Sequence, residues 1–381
     1  MREPHRVRVG YIPLTDCAPV VMAALKGHDR RHGIHIELTR APSWAAIRDG
    51  LITGALDAAH ALYGLVYGVE MGIGTSPQAM AVLMTLNRNG QAITLTRRLF
   101  ERGVTDGTSF ARLIRADPRR YTFAQTFPTG THALWLYYWL ASHGVHPFRD
   151  IGNLTVSPPQ MVAHLASGSI DGYCAGEPWN AHAVERGTGF TVATSQGIWP
   201  EHPEKVLACA EPFVSAQPAV ACALIRAVLE ACRDLDTEQG RREAAQALSG
   251  PDYLDVPAMV LEDRLQGRYV DGLGGAWVDA HPVRFHDHGQ VNYPWLSDGM
   301  WFLTQFKRWG LLASHPDYVS VARRVNRIAL YREAAAELGI PTPEAEMRSA
   351  VLMDGRVWDG SAPQAYAEGF AIQGMMWSDA A

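Results

Sequence analysis

The sequence predicts an α/β protein with two similar lobes that face one cleft. The first observation is a repeated phrase, which reads LITGALDA at residues 51–58 and LASGSIDG at residues 165–172 and aligns Gly54 with Gly168. A helix that ends at a glycine, followed by a short turn into a buried strand, produces this pattern. The second observation is the length of 381 residues, which exceeds one compact core and suits two lobes.

Composition narrows the class of protein. Hydrophobic residues make up 47% of the chain and charged residues 19%, with a net charge of −5 and no clustering of basic residues, which argues against nucleic-acid binding. The odd number of cysteines and the absence of a C-x-x-C motif favour buried reduced thiols over disulfides or a zinc site. These cysteines are Cys17, Cys174, Cys209, Cys222 and Cys232.

Location is predicted from apolar segments. No stretch of signal-peptide length precedes the first strand-like run, and no run of 18 apolar residues occurs in the sequence. We therefore expect a cytoplasmic protein. The alternative is an exported protein from which the leader has been removed.

The first part of the chain alternates strands with helices. Asp16 is expected to cap a helix that carries Pro19 in its first turn, and Ser43 to cap the helix that follows it. Strands are predicted at 7–13, 35–41, 58–62, 79–86 and 91–96, the last two around the turn Asn89-Gly90.

The middle of the chain repeats this organisation. The charged stretch 97–120 is expected to carry the first crossing between lobes. Helices are predicted after Thr131, after Gln160, after Glu177-Pro178 and over the amphipathic segment 219–232, and strands at 121–127, 154–159 and 205–213. Lobe 1 is predicted to comprise residues 6–96 and 210–381 and lobe 2 residues 97–209. The last third is helical, and the sequence leaves open whether it packs on lobe 1 or forms a partner surface.

Several polar side chains stand where strands or loops meet helix starts. Trp44, Gln91, His132 and Lys205 supply indole, amide, imidazole and ammonium donors, which are the groups that recognise a small oxyanion. Each also has an ordinary role, as a packing anchor, a polar strand residue, a core histidine or a solvated charge. Glu177 is most simply a partner of the helix dipole in a first turn. The placement of all these side chains on loops at the cleft side favours a binding site for a small oxyanion.

Other signals are weaker. His281, His286 and His288 resemble a metal cluster, but a His-x-His in a polar loop is usually at the surface, and we predict no metal site. Ser167 and Ser169 do not lie in a G-x-S-x-G motif, which argues against a serine nucleophile. The sequence also contains no phosphate-binding loop, and we predict no catalytic residue and no cofactor.

Eight phrases together resemble the nitrate-binding members of the nitrate/bicarbonate solute-receptor family, over roughly residues 7–335. They are YIPLTDCAP, SWAAIRDGL, LDAAHAL, NGQAITL, FPTGTHALWLYYWL, PPQMV, GEPWNAH and HPEKVLA. The resemblance implies the two-lobed type II periplasmic-binding-protein fold with a hinge and an interlobe cleft. It also implies an anion site built from Trp44, Gln91, His132, Gly176 and Lys205, with Glu177 orienting a donor or capping its own helix.

The expected cytoplasmic location makes the chain look like the sensor branch of this family, the NasS type. Such proteins bind nitrate or nitrite, hold an RNA-binding ANTAR antiterminator in check and release it when the anion binds. This resemblance implies contact with neither RNA nor membrane. The alternative is the substrate-binding protein of a nitrate ABC transporter. A third class is an enzyme related to the pyrimidine synthases that share the fold. Such an enzyme needs a pocket for a pyridoxal-type cofactor, and the sequence offers no candidate lysine at a helix start.

Overall fold

The computed structural model describes residues 4–117 and 119–374 and confirms the two-lobed α/β fold. Each lobe is built on a five-stranded sheet. The first sheet has the order β2-β1-β3-β10-β4, with β1 His5–Tyr11, β2 Ile34–Arg40, β3 Ala58–Leu62, β4 Met80–Thr85 and β10 Lys205–Ala210. The second has the order β7-β6-β8-β5-β9, with β5 Gln91–Thr96, β6 Tyr121–Gln125, β7 Ile151–Thr155, β8 Gly172–Gly176 and β9 Gly189–Thr194.

Helices cover the sheets, and the last third of the chain adds further helices and two short hairpins. The hairpin strands are β11 Arg268–Val270, β12 Ala276–Val278, β13 Ala350–Val351 and β14 Val357–Trp358. The helices are α1 Ala18–Leu25, α2 His28–Arg31, α3 Trp44–Thr53, α4 Tyr63–Glu70, α5 Arg97–Glu101, α6 Gly107–Ala116, α7 Thr131–Ser142, α8 Met161–Ser167, α9 Trp179–Glu185, α10 Ser195–Ile198, α11 Glu211–Ala216, α12 Pro218–Leu235, α13 Glu238–Leu248, α14 Ala258–Leu265, α15 Leu296–Arg308, α16 Tyr318–Val325, α17 Ile328–Glu337 and α18 Pro363–Glu368.

The repeated phrase is one structural unit used once in each lobe. Gly54 ends α3 with φ 73°, and Gly168 ends α8 with φ 77°, so both glycines adopt the left-handed conformation that other residues avoid. Each is followed by a fully buried strand, β3 or β8. The cap at Ser43 is confirmed, because its side chain accepts a hydrogen bond from the Ala46 N–H at 3.2 Å.

The predicted lobe boundaries are wrong by one strand at each crossing. β5, assigned to lobe 1 by the boundary at 96, pairs with β8 and β9 in the second sheet, whereas β10 pairs with β3 and β4 in the first. The crossings therefore lie at 86–90 and 195–204. The stretch 97–120, expected to carry the first crossing, forms α5 and α6 within the second lobe. Two apolar strands around Asn89-Gly90 resemble a hairpin in sequence, but that turn instead carries the chain from one sheet to the other.

The last third packs on both lobes, a point that the sequence left open. From α15, the Phe302 ring packs against Tyr63 of the first lobe with ring centroids 5.2 Å apart, and the Trp301 ring lies 4.9 Å from that of Trp135 in the second lobe. The predicted extension to residue 381 includes 375–381, which lie outside the described residues.

The cysteines and the helices can be compared with what the composition predicts. All five cysteines are buried, and none forms a disulfide within the described residues. None of the described helices combines the length and the apolar character that crossing a membrane requires.

Candidate anion-binding site between the lobes

The structure brings four of the predicted side chains into one buried cluster. Lys205 Nζ lies 3.4 Å from His132 Nε2 and 5.8 Å from the centre of the Trp44 ring. His132 Nε2 lies 2.9 Å from Gln91 Oε1. Each of these side chains is at most 1% exposed, so both lobes enclose them.

The fold explains why these four residues meet. Lys205 and Gln91 are the first residues of β10 and β5, where each strand enters its sheet from the other lobe. Trp44 is the first residue of α3, and His132 lies in the first turn of α7. All four therefore stand at the edge where parallel strands end and helices begin, which is where α/β sheets hold ligands.

Gly176 adjoins the cluster, where its lack of a side chain leaves room for Gln91. It pairs with Gln91 across the β5–β8 ladder. A Cβ added at Gly176 would lie 2.7 Å from Gln91 Oε1 and 3.1 Å from a methyl group of Leu14. Any larger residue would therefore displace the Gln91 amide from the cluster.

The site contains a carboxylate that the sequence did not predict there. Asp16 does not cap a helix as expected, because α1 begins at Ala18 and the Asp16 side chain points into the cluster. Its Oδ2 accepts hydrogen bonds from Lys205 Nζ at 2.8 Å and Gln91 Nε2 at 3.0 Å, and its Oδ1 lies 2.8 Å from His60 Nε2. The available signal was His60 itself, a single polar residue inside the small apolar strand β3.

Glu204 is a second carboxylate in the cluster that the sequence did not predict there. It accepts hydrogen bonds from Lys205 Nζ at 2.9 Å, from the Trp135 indole at 2.7 Å and from the Thr131 hydroxyl. Its side chain is fully buried. The acidic residue directly before the lysine in HPEK was the signal that could have indicated it.

Burial and the Lys205 charge set the protonation of this cluster. Burial, together with repulsion from Lys205, lowers the pKa of His132 to about 3, and burial also lowers the pKa of His60, so both imidazoles are neutral at pH 7. Burial alone would raise the pKa of Asp16, but the Lys205 ammonium and the His60 hydrogen bond outweigh it and lower that pKa. Burial likewise opposes the charge of Lys205, yet Asp16 and Glu204 raise its pKa.

The hydrogen-bond directions follow from these charges. Because the Asp16 carboxylate accepts from Gln91 Nε2, the Gln91 carbonyl oxygen faces His132 and accepts from its Nε2–H. The other ring nitrogen of His132 then accepts from the Thr126 hydroxyl at 2.6 Å. His132 is therefore held as a neutral donor directed into the cluster.

Trp44 carries the clearest indication of a ligand. Its indole Nε1 is buried and has no hydrogen-bond partner among the residues that the structure describes. An indole N–H can only donate, and a buried donor without a partner costs about 1–3 kcal/mol. An acceptor oxygen from a bound anion would satisfy it.

Glu177 lies beside the site without joining it. Its Oε2 accepts from the Ala181 N–H at 3.1 Å in the first turn of α9, and its Oε1 lies 3.3 Å from Arg264 Nε. Of its two predicted roles, the structure shows capping of its own helix. Burial raises the pKa of Glu177, although the guanidinium of Arg264 opposes that rise.

The three histidines considered for a metal site have other surroundings. His281 Nδ1 lies 3.0 Å from Glu201, and His286 Nδ1 lies 2.8 Å from Asn292. Within residues 4–117 and 119–374, His281, His286 and His288 do not form a metal-ligand group.

Comparisons with known proteins identify the family of this chain. Over 378 residues the chain is 37% identical to the nitrate import ATP-binding protein NrtC of Synechocystis sp. PCC 6803, covering 97% of this chain and 56% of that protein. The chain thus spans about half the length of that relative. Over 388 residues it is 35% identical to the nitrate/nitrite binding protein NrtA of the same organism, covering 97% of this chain and 86% of that protein.

A crystal structure gives the same result at the level of the fold. The periplasmic nitrate-binding protein NrtA from Synechocystis PCC 6803 superimposes with a TM-score of 0.92 at 34% identity, covering 97% of this chain and 99% of that one. A sequence profile of the NMT1-like family matches residues 1–249. With its two lobes and the donors gathered between them, this chain belongs to the NMT1-like family of periplasmic-binding-protein-like proteins.

Proposed function

We propose that this protein binds nitrate or nitrite between its lobes and serves as the solute receptor of an import system. The observation that carries the proposal is the buried, unpartnered Trp44 Nε1 beside the Lys205 ammonium in a cluster drawn from both lobes of the described chain. Similarity over nearly the whole chain to proteins named for nitrate import and for nitrate or nitrite binding supports the choice of anion.

The chemistry of the donors suits a small planar anion. Removing such an anion from water costs several kcal/mol unless its oxygens receive hydrogen bonds. Lys205 supplies the positive charge, while Trp44, Gln91 and His132 supply neutral N–H donors. Hydrogen bonds to a charged group contribute about 1.5–3 kcal/mol each, so three or four of them offset the desolvation.

The receptor role is proposed in place of the sensor role expected from the sequence. The relatives are named as parts of nitrate import or as binding proteins, which favours import. Control of an ANTAR antiterminator in the cytoplasm stays a prediction. It requires that the anion and the antiterminator weaken each other's binding by the same factor.

The test is isothermal titration of the purified protein with nitrate, nitrite, bicarbonate and chloride at low ionic strength. We expect saturable binding of nitrate or nitrite that chloride does not mimic. Binding of bicarbonate alone, or of no oxyanion, would contradict the proposal. Repeating the titration with an ANTAR antiterminator present separates the two roles, because a receptor gives the same nitrate affinity with and without it.

A further inference from the structure

Asp16 and Glu204 both contact Lys205, but they are held in different ways. Glu204 is fixed by the Trp135 indole and the Thr131 hydroxyl as well as by Lys205. In the described part of the chain, the Asp16 carboxylate is instead held by Lys205, Gln91 and His60 alone. Two of these three are donors that the bound anion is expected to use.

The Asp16 carboxylate is chemically similar to the proposed ligand. It is planar, carries one negative charge and presents oxygen acceptors, as nitrate and nitrite do. Asp16 and Glu204 already share the Lys205 ammonium, so a bound monovalent anion would bring a third negative charge to it in a buried site where the effective dielectric constant is low. The ligand therefore competes with the Asp16 carboxylate for Lys205 and Gln91.

The position of Asp16 allows exchange. It lies in the one-turn 3₁₀ helix Thr15–Cys17 between β1 and α1, and not within a long element. Glu204 directly precedes β10, and its side chain is also held by Trp135 and Thr131 of α7. Of the two carboxylates, Asp16 is the one whose release would break side-chain hydrogen bonds only to Lys205, Gln91 and His60 in the described part of the chain.

We propose that Asp16 is a built-in competitor of the anion, and that its carboxylate leaves Lys205 and Gln91 when the anion binds. This inference rests on the proposed function and identifies the side chain that sets the affinity of the site. It has a direct consequence: removing the carboxylate strengthens the binding of a monovalent oxyanion. A merely structural role for Asp16 has the opposite consequence, because loss of a support for Lys205 and Gln91 weakens binding.

The experiment is isothermal titration of nitrate and nitrite into the wild-type protein and into Asp16→Ala and Asp16→Asn. We expect both variants to bind at least about tenfold more tightly than the wild type, a gain of about 1.4 kcal/mol. Asp16→Asn keeps an acceptor for His60 and so provides a second test if Asp16→Ala fails to fold. The matched control is Asp57→Asn, which removes a carboxylate paired with Arg8 at 2.6 Å in the same lobe and should leave the affinity unchanged.

The outcomes separate this inference from the proposed function. Equal or weaker binding by folded Asp16 variants, with normal binding by the wild type, overturns the competitor role and leaves the proposed function intact. Binding by the variants but not by the wild type supports the competitor role in its strongest form. If neither wild type nor variants bind an oxyanion, both proposals fail.

Discussion

Lys205 and Gln91 occupy equivalent positions in the two lobes. Lys205 opens β10 opposite Leu62, the last residue of β3, and Gln91 opens β5 opposite Gly176, the last residue of β8. In each sheet this strand is antiparallel to both of its neighbours and arrives directly from the other lobe. The same structural position therefore supplies a cation from one lobe and an amide from the other, and the two side chains meet at the Asp16 carboxylate.

Trp44→Phe should weaken oxyanion binding, while the free energy of unfolding changes little, because the gain from removing the buried indole N–H offsets the packing that the smaller ring loses. The substitution keeps an aromatic ring and removes an N–H that has no partner among the described residues. Loss of one hydrogen bond to a charged ligand is worth about 1.5–3 kcal/mol, or roughly 10- to 100-fold in affinity. Isothermal titration and urea unfolding measure the two quantities.

The matched control for this prediction is Trp309→Phe. Trp309 Nε1 is also buried without a partner in the described chain, but its ring packs against Tyr137 and Phe148, away from the cluster. This control should leave the affinity unchanged. Equal losses in the two variants would show that the Trp44 effect comes from packing.

Lys205→Met should abolish anion binding and lower the free energy of unfolding by about 3–5 kcal/mol, because Asp16 and Glu204 lose the ammonium that they share. The double variant Asp16→Asn/Lys205→Met removes one carboxylate together with the cation. Its stability should recover in part, because Glu204 still lacks its cation, whereas its binding should not recover. Normal nitrate affinity in Lys205→Met would refute the role of this lysine.

Gly176→Ala should weaken anion binding by displacing Gln91. The added methyl group would lie 2.7 Å from Gln91 Oε1, so the amide has to rotate out of the cluster. We expect an affinity loss of about tenfold, the value of one hydrogen bond. Gly250→Ala is the control, because a Cβ there meets nothing within 4 Å. Unchanged affinity in Gly176→Ala would show that the Gln91 side chain takes no part in binding.

Glu177→Gln should lower stability with little effect on affinity. The carboxylate lies 3.3 Å from the buried Arg264 and caps α9, so its removal leaves a buried cation unpaired at a cost of about 3 kcal/mol. Anion affinity should stay within about threefold of the wild type, or about 0.6 kcal/mol. Chemical unfolding and titration test this pair of expectations, and loss of binding in a folded variant would make Glu177 part of the site.

Stability should fall as the pH drops below about 6.5. Burial lowers the pKa of His60. Burial, together with repulsion from Lys205, lowers the pKa values of His132 and His202 to about 3. These groups are neutral in the folded protein but take up protons in the unfolded chain, so their contribution is complete above the unfolded pKa of about 6.5 and is lost toward pH 3.

Each such histidine adds a slope of at most about 1.4 kcal/mol per pH unit. Urea unfolding at pH 8, 7, 6 and 5 measures the sum of these contributions. His202→Gln should remove one of them, because it takes away a buried imidazole that lies 2.7 Å from the Ser195 hydroxyl. A flat stability profile between pH 7 and pH 5 would contradict the assignment of neutral imidazoles.

Local features of the structure could be predicted from the sequence because local interactions decide them. The glycine-ended helices at Gly54 and Gly168, the cap at Ser43 and the buried strands after them depend on neighbouring residues alone. The resemblance also predicted that Trp44 and Lys205 lie near each other, and in the structure Lys205 Nζ lies 5.8 Å from the centre of the Trp44 ring.

Which residues and strands pair over long distances in the sequence was decided only by the tertiary structure. Asp16 lies 189 residues from Lys205, and nothing near it in the sequence distinguishes a helix cap from a buried counter-ion. The assignment of β5 and β10 to opposite lobes likewise depends on which strand edges they meet. Hydrophobic periodicity reports that a segment is buried, but the choice of partner is made by the packing of distant surfaces and by the need of each buried charge for an opposite one.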